Sequence, residues 1–128
     1  MECQPIREFI EALRESVSSL GERVCYVASA DLAHVGLQFG DREGMREYGL
    51  RILAQEDEEM LGYAERMDGE GFFSSISKER DRRRICGLPA IYTMLKVLEA
   101  KEGKLLKYGQ AFTSETQSVV SFASMAFY

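Results

Sequence analysis

The only histidine of this sequence, His34, follows an apolar run typical of a strand, Val24 to Ala28. Loops at strand ends often carry the chemistry of α/β proteins. Because an imidazole gains and loses a proton near neutral pH, His34 is a candidate general acid or base. Asp31 is a second candidate, since its carboxylate could orient or polarise the ring. The alternative is a loop histidine bonded to nearby backbone, with Asp31 as a turn or cap residue.

Cys86 lies in the segment Ile85 to Pro89, at the start of a stretch with helical periodicity. A sulfur at a helix N-terminus, close to Arg82, Arg83 and Arg84, favours the thiolate, which can act as a nucleophile or as a soft metal ligand. Cys86 is therefore a candidate for this chemistry. The alternative is a small buried hydrophobic residue, which is how most free cysteines behave.

The cysteine and histidine content limits the sites that one chain can build. Cys3, Cys25 and Cys86 are widely spaced and odd in number, which argues against a disulfide framework and predicts reduced thiols in a cytoplasmic protein. Cys25 lies inside the predicted strand and is interpreted as structural. With no Cys-x-x-Cys pair and one histidine, a single copy of this chain cannot assemble a structural zinc site or a two-histidine metal triad.

The net charge of −5 argues against capture of nucleic acid or anionic lipid by the surface as a whole. The basic run from Lys78 to Arg84 also contains Glu79 and Asp81 and has no aromatic platform, so a solvated loop and helix start is preferred to nucleic-acid binding. The longest uncharged stretch is too short for a membrane span, and the N-terminus has acids where a signal peptide has basic residues. We therefore expect neither nucleic acid nor membrane as a partner.

Hydrophobic periodicity and turn residues predict a single domain over residues 1–128 in which helices and strands are mixed. The first half is predicted to contain a helix from near Pro5 to Gly21, a buried strand over Val24 to Ser29 and a glycine-rich loop over Asp31 to Gly44. A long helix over Met45 to Met67, with an interruption allowed at Gly49, and a short helix capped by Asp68 follow. The last predicted elements are a helix that ends at Gly103 and strands over Leu105 to Phe112 and Ser118 to Phe127.

The polar, turn-sized stretch Thr113 to Gln117 separates the last two predicted strands and favours an antiparallel hairpin. The final predicted strand is nearly uncharged, so we expect other parts of the protein or a partner to cover both of its faces. A sheet that the available helices cover on one side only exposes an apolar patch, and such patches usually mark an interface. We therefore predict a partner, either a second copy in a homo-oligomer or a separate chain.

Four segments occur in this order along the chain: Ser29 to Gly36, Met67 to Phe73, Ile85 to Ile91 and Ser118 to Phe127. Together they resemble the C-terminal half of the Memo family, in particular its bacterial branch, the AmmeMemoRadiSam system protein B. The resemblance covers nearly the whole chain. It implies half of the three-layer α/β/α fold that this family shares with class III extradiol dioxygenases, with a mixed β-sheet flanked by helices.

The resemblance also implies roles for individual residues. In the family, a metal-capable pocket is lined by two histidines of the N-terminal half and one cysteine of the C-terminal half, with a further histidine nearby. By motif, Cys86 matches the cysteine and His34 the further histidine. The two N-terminal histidines have no counterpart here, so the site is expected to be incomplete. Iron, copper or zinc would bind only if another chain, such as a separate N-terminal half, completes it.

Two functions follow from these expectations. In the first, the chain works with an N-terminal half in metal-dependent, dioxygenase-like redox chemistry and is inactive alone; this predicts that His34 and Cys86 approach each other in an open cleft. In the second, the chain is a non-catalytic interaction module that binds a protein through an exposed apolar sheet face. The second predicts a Cys86 buried against carbon, a His34 turned to backbone and a final strand that lies in an interface.

Overall fold

The computed structural model of the chain describes residues 3–128, which form four α-helices and three β-strands. The α/β fold class predicted from the sequence is confirmed. In chain order the elements are α1 (Gln4–Leu20), β1 (His34–Val35), a 3-10 turn (Leu37–Phe39), α2 (Glu47–Glu65), α3 (Gly69–Lys78), α4 (Leu88–Val97), β2 (Gly103–Thr113) and β3 (Ser118–Phe127).

Local signals place the first three helices where the sequence predicts them. α1 has Pro5 in its first turn and ends at Gly21, whose φ of 65° is the left-handed conformation that favours glycine after a helix. α2 continues through Gly49 without interruption. α3 is capped by Asp68, whose Oδ1 accepts a 2.8 Å hydrogen bond from the backbone N–H of Gly71. Among residues 3–128, none of the helices combines the length and the hydropathy that crossing a membrane requires.

α4 ends at Val97, earlier than the predicted end at Gly103. Leu98 has extended backbone, with a ψ of 132°, and takes the chain out of the helix. The backbone N–H of Glu102 then donates a 3.1 Å hydrogen bond to the carbonyl of Tyr128. Gly103 therefore begins the hairpin and does not act as a helix stop.

The predicted hairpin of the C-terminal region is confirmed. β2 and β3 pair antiparallel from Gly103 opposite Phe127 to Thr113 opposite Ser118, and β1 pairs antiparallel with the other edge of β3, which gives the strand order β1-β3-β2. His34 of β1 lies opposite Val120. Every strand pair of residues 3–128 is antiparallel, so the parallel pairing that a mixed sheet requires is not present within this part.

The main core lies between the sheet and the helices α2 and α3, and a smaller core joins α1 to α4. Burying each large apolar side chain contributes about 1.5–3 kcal/mol to folding. The main core includes Leu32, Ala33, Leu53, Met60, Leu61, Ala64, Phe72, Ile76, Ile85, Leu95 and Val119, and the smaller one includes Ile10, Tyr92 and Val97.

The prediction of a buried strand over Val24 to Ser29 is wrong. Residues 23–31 belong to no helix or strand, and the Val27 side chain is 80% exposed. No backbone-to-backbone hydrogen bond joins residues 23–31 to the rest of residues 3–128, so the segment has no neighbouring strand to pair with. The composition is that of a strand, but a strand forms only where a partner supplies the ladder of hydrogen bonds.

Candidate functional site

His34 is half-buried at the end of the sheet, and its ring is turned toward backbone. The Nδ1 atom lies 3.2 Å from the carbonyl oxygen of Leu32 and 3.1 Å from that of Arg84. A carbonyl oxygen can only accept, so Nδ1 must carry the proton that these contacts share. In the neutral ring Nε2 then keeps its lone pair, and it makes no hydrogen bond to residues 3–128. His34 is therefore oriented as a base or a ligand at Nε2.

Two further contacts hold His34 in place. Its backbone N–H donates a 2.7 Å hydrogen bond to the carbonyl of Arg83, and the Phe39 ring meets the imidazole edge-on at a centroid distance of 5.3 Å. Asp31 does not take the role of ring partner in this structure. Its side chain is exposed, and within residues 3–128 the imidazole contacts carbonyl groups instead. Polarisation of His34 by the Asp31 carboxylate stays a prediction.

Cys86 is exposed, and its Sγ lies 3.7 Å from the backbone carbonyl oxygen of Asp31, 55 residues away in the chain. The alternative interpretation of Cys86 as a buried hydrophobic residue is therefore wrong. Cys25, interpreted as structural inside a strand, is also exposed, because that strand does not form. The sulfur of Cys86 lies two residues before α4 and is available to a ligand.

Asp31, His34 and Cys86 lie on two chain segments, 31–34 and 83–86, that contact each other. Cys86 contacts Asp31 at one end, and His34 hydrogen-bonds the backbone of residues 83 and 84 at the other. Gly87 permits this approach, since a Cβ atom there would lie only 2.5 Å from the Asp31 carbonyl oxygen. The structure thus brings the three candidate residues into one neighbourhood, although Asp31 takes part through its backbone.

The three arginines before Cys86 were expected to favour its thiolate, but their guanidinium groups bind carboxylates elsewhere. Arg82 pairs with Glu56 and Glu79, Arg83 with Asp57 and Glu79, and Arg84 with Asp41. The hydrogen bond from Arg84 lowers the pKa of Asp41, and this effect exceeds the opposing effect of burial. The guanidinium groups of these three arginines are therefore engaged in ion pairs with carboxylates and not with the Cys86 sulfur.

Next to the site lies a buried ion pair between Asp57 and Arg83, whose side chains are 0% and 3% exposed. The sequence analysis did not predict this pair. Asp57 also accepts a 2.6 Å hydrogen bond from the Tyr108 hydroxyl. Burial raises the pKa of Asp57 more than its hydrogen bonds with Ser121 and Tyr108 lower it. Burial and the Asp57 contact also raise the pKa of Tyr108. Periodicity could have found Asp57, because it stands on the apolar stripe of α2, midway between Leu53 and Leu61.

The described residues do not form a metal site by themselves. Within residues 3–128, no group of three or more histidine, cysteine, aspartate and glutamate side chains is placed to hold a metal ion. Cys86 and His34 could supply at most one thiolate and one imidazole, and stable protein sites for iron, copper or zinc use more ligands.

Comparison with known proteins identifies the family. Residues 4–126 match the family described as "Memo-like protein". A "MEMO1 family protein" from Aquifex aeolicus (strain VF5) is 31% identical over 105 residues, which cover 80% of this chain and 26% of the relative. The chain thus spans about a quarter of the length of the relative that it matches. With nearly every residue inside the family match, the chain belongs to the Memo-like family.

Proposed function

We propose that this chain is the C-terminal half of a Memo-like fold and supplies one side of a metal-binding pocket. The neighbourhood of Cys86 and His34 carries the proposal, because an exposed thiol and an imidazole with a free Nε2 lie on two contacting segments. In this proposal Cys86 is a metal ligand and His34 accepts or returns a proton through Nε2. The remaining ligands come from a polypeptide segment outside residues 1–128.

The thiol limits the metals that suit the completed pocket. Thiolate and imidazole donors favour iron, copper or zinc over magnesium or calcium. When bound, such a metal would supply Lewis acidity or redox chemistry, and we propose dioxygenase-like oxidation of a small molecule as the reaction class. We propose a reducing, cytoplasmic setting for this chemistry, because three widely spaced cysteines in the sequence argue against a disulfide framework.

An apolar groove beside the site supports the docking of a further segment. The groove holds about 570 Å³, and every lining residue is hydrophobic. One wall is the unpaired stretch at residues 24–30, and the others come from α4 and from the end of β3. An unpaired segment next to an apolar groove suits the addition of a strand, in which backbone hydrogen bonds and buried side chains act together. We propose that the rest of the Memo-like fold binds here.

The same groove favours a second candidate function, a non-catalytic interaction module. Val27 is 80% exposed and Val24 is 42% exposed, which is costly to keep in water unless a partner covers them. His34 is turned to backbone, as this hypothesis predicts, but Cys86 is exposed, which it does not predict. A module of this kind would bind a second copy or another chain through the groove without holding a metal.

Metal content distinguishes the two candidates. The chain is co-expressed with a polypeptide from the same genome that carries the rest of a Memo-like sequence, and the purified complex is assayed by elemental mass spectrometry. We expect about one metal ion per complex and a loss of at least tenfold with Cys86→Ser, since removing a thiolate ligand leaves a weaker donor set. Cys3→Ser, which changes a cysteine on the opposite end of the chain, is the matched control.

Each result has a defined meaning. A complex that retains its metal at wild-type level with Cys86→Ser contradicts the assignment of Cys86. A stable complex without metal in every preparation contradicts the pocket and favours the interaction module. In that case Val27→Asp, which places a charge in the groove, is expected to weaken the complex at least tenfold, whereas Cys86→Ser has no effect.

A further inference from the structure

The residues that precede Cys86 form a loop with an unusual backbone. Arg80, Asp81 and Arg84 have φ values of 55°, 50° and 54°, in the left-handed region that favours glycine. Such conformations persist where surrounding contacts impose them, and they concentrate at functional sites. Loop 80–84 is therefore held in shape by specific interactions.

Side chains of the loop supply those interactions. The Asp81 carboxylate accepts a 2.8 Å hydrogen bond from the Ile85 N–H. Arg84 binds Asp41 with both terminal nitrogens, at 2.8 Å and 3.2 Å. The paired geometry is specific to arginine, since a lysine ammonium cannot form the same two parallel bonds. Asp41 in turn accepts a 2.8 Å hydrogen bond from the Gly36 N–H, which ties the loop to the end of β1.

Arg84 contacts His34 in two ways. Its Nη1 donates a 3.1 Å hydrogen bond to the His34 backbone carbonyl, and its own carbonyl accepts from the His34 ring at Nδ1, also at 3.1 Å. The neighbouring Arg83 carbonyl accepts from the His34 N–H at 2.7 Å. The loop therefore contacts both the backbone and the ring of His34, and the Leu32 carbonyl, 3.2 Å from Nδ1, is the second acceptor at the ring.

We propose that loop 80–84, through the Arg84–Asp41 pair, sets the tautomer of His34 so that the proton sits on Nδ1 and the Nε2 lone pair is offered to the site. Arg84 is thus a positioning residue. The free histidine side chain favours the opposite tautomer, with the proton on Nε2, so a fixed Nδ1–H form requires acceptors held at Nδ1. The inference rests on the proposed role of His34 as a base and names the residue that prepares it.

The tautomer can be read directly, because the chain has a single histidine. Long-range ¹H–¹⁵N correlation NMR on the ¹⁵N-labelled chain, at a pH well above the ordinary histidine pKa of about 6.5, separates Nδ1–H from Nε2–H rings. We expect the wild-type chain to show the Nδ1–H pattern. Arg84→Ala is expected to move the ring at least fivefold toward Nε2–H, and Arg84→Lys to restore less than half of the change.

The control is Arg51→Ala, which removes an exposed ion pair with Glu47 on α2 and is expected to leave the ring pattern unchanged. If Arg84→Ala does not fold, as judged by its amide spectrum, Asp41→Asn provides the test, since it removes the other partner of the pair. An Nε2–H ring in the wild-type chain overturns the inference. A folded Arg84→Ala or Asp41→Asn chain with the wild-type pattern also overturns it.

This readout does not depend on metal or on a partner, so it separates the inference from the proposed function. A fixed Nδ1–H ring that responds to Arg84 supports the inference even where no metal is retained in the complex. Metal retention that depends on Cys86 supports the proposed pocket. If the His34 ring in the same chain is not fixed as the Nδ1–H tautomer, the role of loop 80–84 is rejected.

Discussion

Arg83→Ala is expected to lower the free energy of unfolding by about 3–5 kcal/mol, because it leaves the Asp57 carboxylate buried without its cation. Asp57 is 0% exposed, and the Arg83 guanidinium also binds the nearby Glu79 at 2.6 Å. Its removal leaves Asp57 without its cation, whereas Glu79 keeps its 3.2 Å ion pair with Arg82. For a domain whose total stability is about 5–15 kcal/mol, this loss is a large fraction. Urea unfolding monitored by circular dichroism measures it.

The loss is expected to depend on pH with a defined sign. Burial already raises the pKa of Asp57, and the Arg83 charge opposes that rise, so Arg83→Ala raises it further. A carboxyl group with a raised folded-state pKa contributes stability below its unfolded-state pKa of about 3.9, and this contribution is lost as the pH rises through the folded-state value. The deficit of the variant is therefore smaller at pH 4 than at pH 7.

Two comparisons test the buried-charge explanation. Arg51→Ala, which breaks the exposed pair with Glu47, is expected to cost less than about 0.5 kcal/mol. The double variant Asp57→Asn with Arg83→Met removes both charges and is expected to recover at least half of the loss. A single-variant cost below about 1 kcal/mol, or a double variant less stable than Arg83→Ala, would contradict this explanation.

The sequence predicts most elements of this fold because their signals are local. Gly21 ends α1 and Asp68 begins α3 through contacts within a few residues, and the hairpin around Thr113–Gln117 follows from a short polar turn. The stretch Val24 to Ser29 fails for the opposite reason. Its β-rich composition is a local property, whereas strand formation requires hydrogen bonds from a neighbour that residues 3–128 do not provide.

The candidate site divides in the same way. His34 and Cys86 are recognisable by residue type. That their segments, 31–34 and 83–86, contact each other is a feature of the tertiary structure, which sequence spacing does not predict. The run of arginines before Cys86 reads as solvated in sequence, yet Arg83 is only 3% exposed, because Asp57 lies on the inner face of α2. A charged residue on an apolar helix face, such as Asp57, predicts a buried partner of opposite charge. The sequence does not show which residue that partner is, because Arg83 lies in a loop without hydrophobic periodicity.

Gly36→Ala is expected to cost about 3 kcal/mol of unfolding free energy and to displace β1, the strand that carries His34. Gly36 has a φ of 126° and a ψ of −175°, a conformation essentially restricted to glycine, which costs other residues about 1–3 kcal/mol. A Cβ atom there would also lie 2.5 Å from the Cα of Ser118 and 2.6 Å from the carbonyl oxygen of Gln117. These are backbone atoms of β3 and its turn, so relief requires the strands to separate, at about 1–3 kcal/mol more.

Gly40→Ala is the matched control, because Gly40 has a φ of 89° but no atom within 4 Å of the Cβ position. Its left-handed backbone carries a penalty of about 1 kcal/mol for a non-glycine residue, and the collision is absent. Chemical denaturation of both variants measures the difference. Amide hydrogen exchange at Ser121, whose N–H donates a 3.0 Å hydrogen bond to the Ala33 carbonyl just before β1, reports whether this edge of the sheet has moved. Equal costs for the two variants would show that the approach of Gly36 to Ser118 is unimportant. A larger cost at Gly36, with faster exchange at Ser121, would show that this approach holds His34 against the sheet, where loop 80–84 can reach its ring.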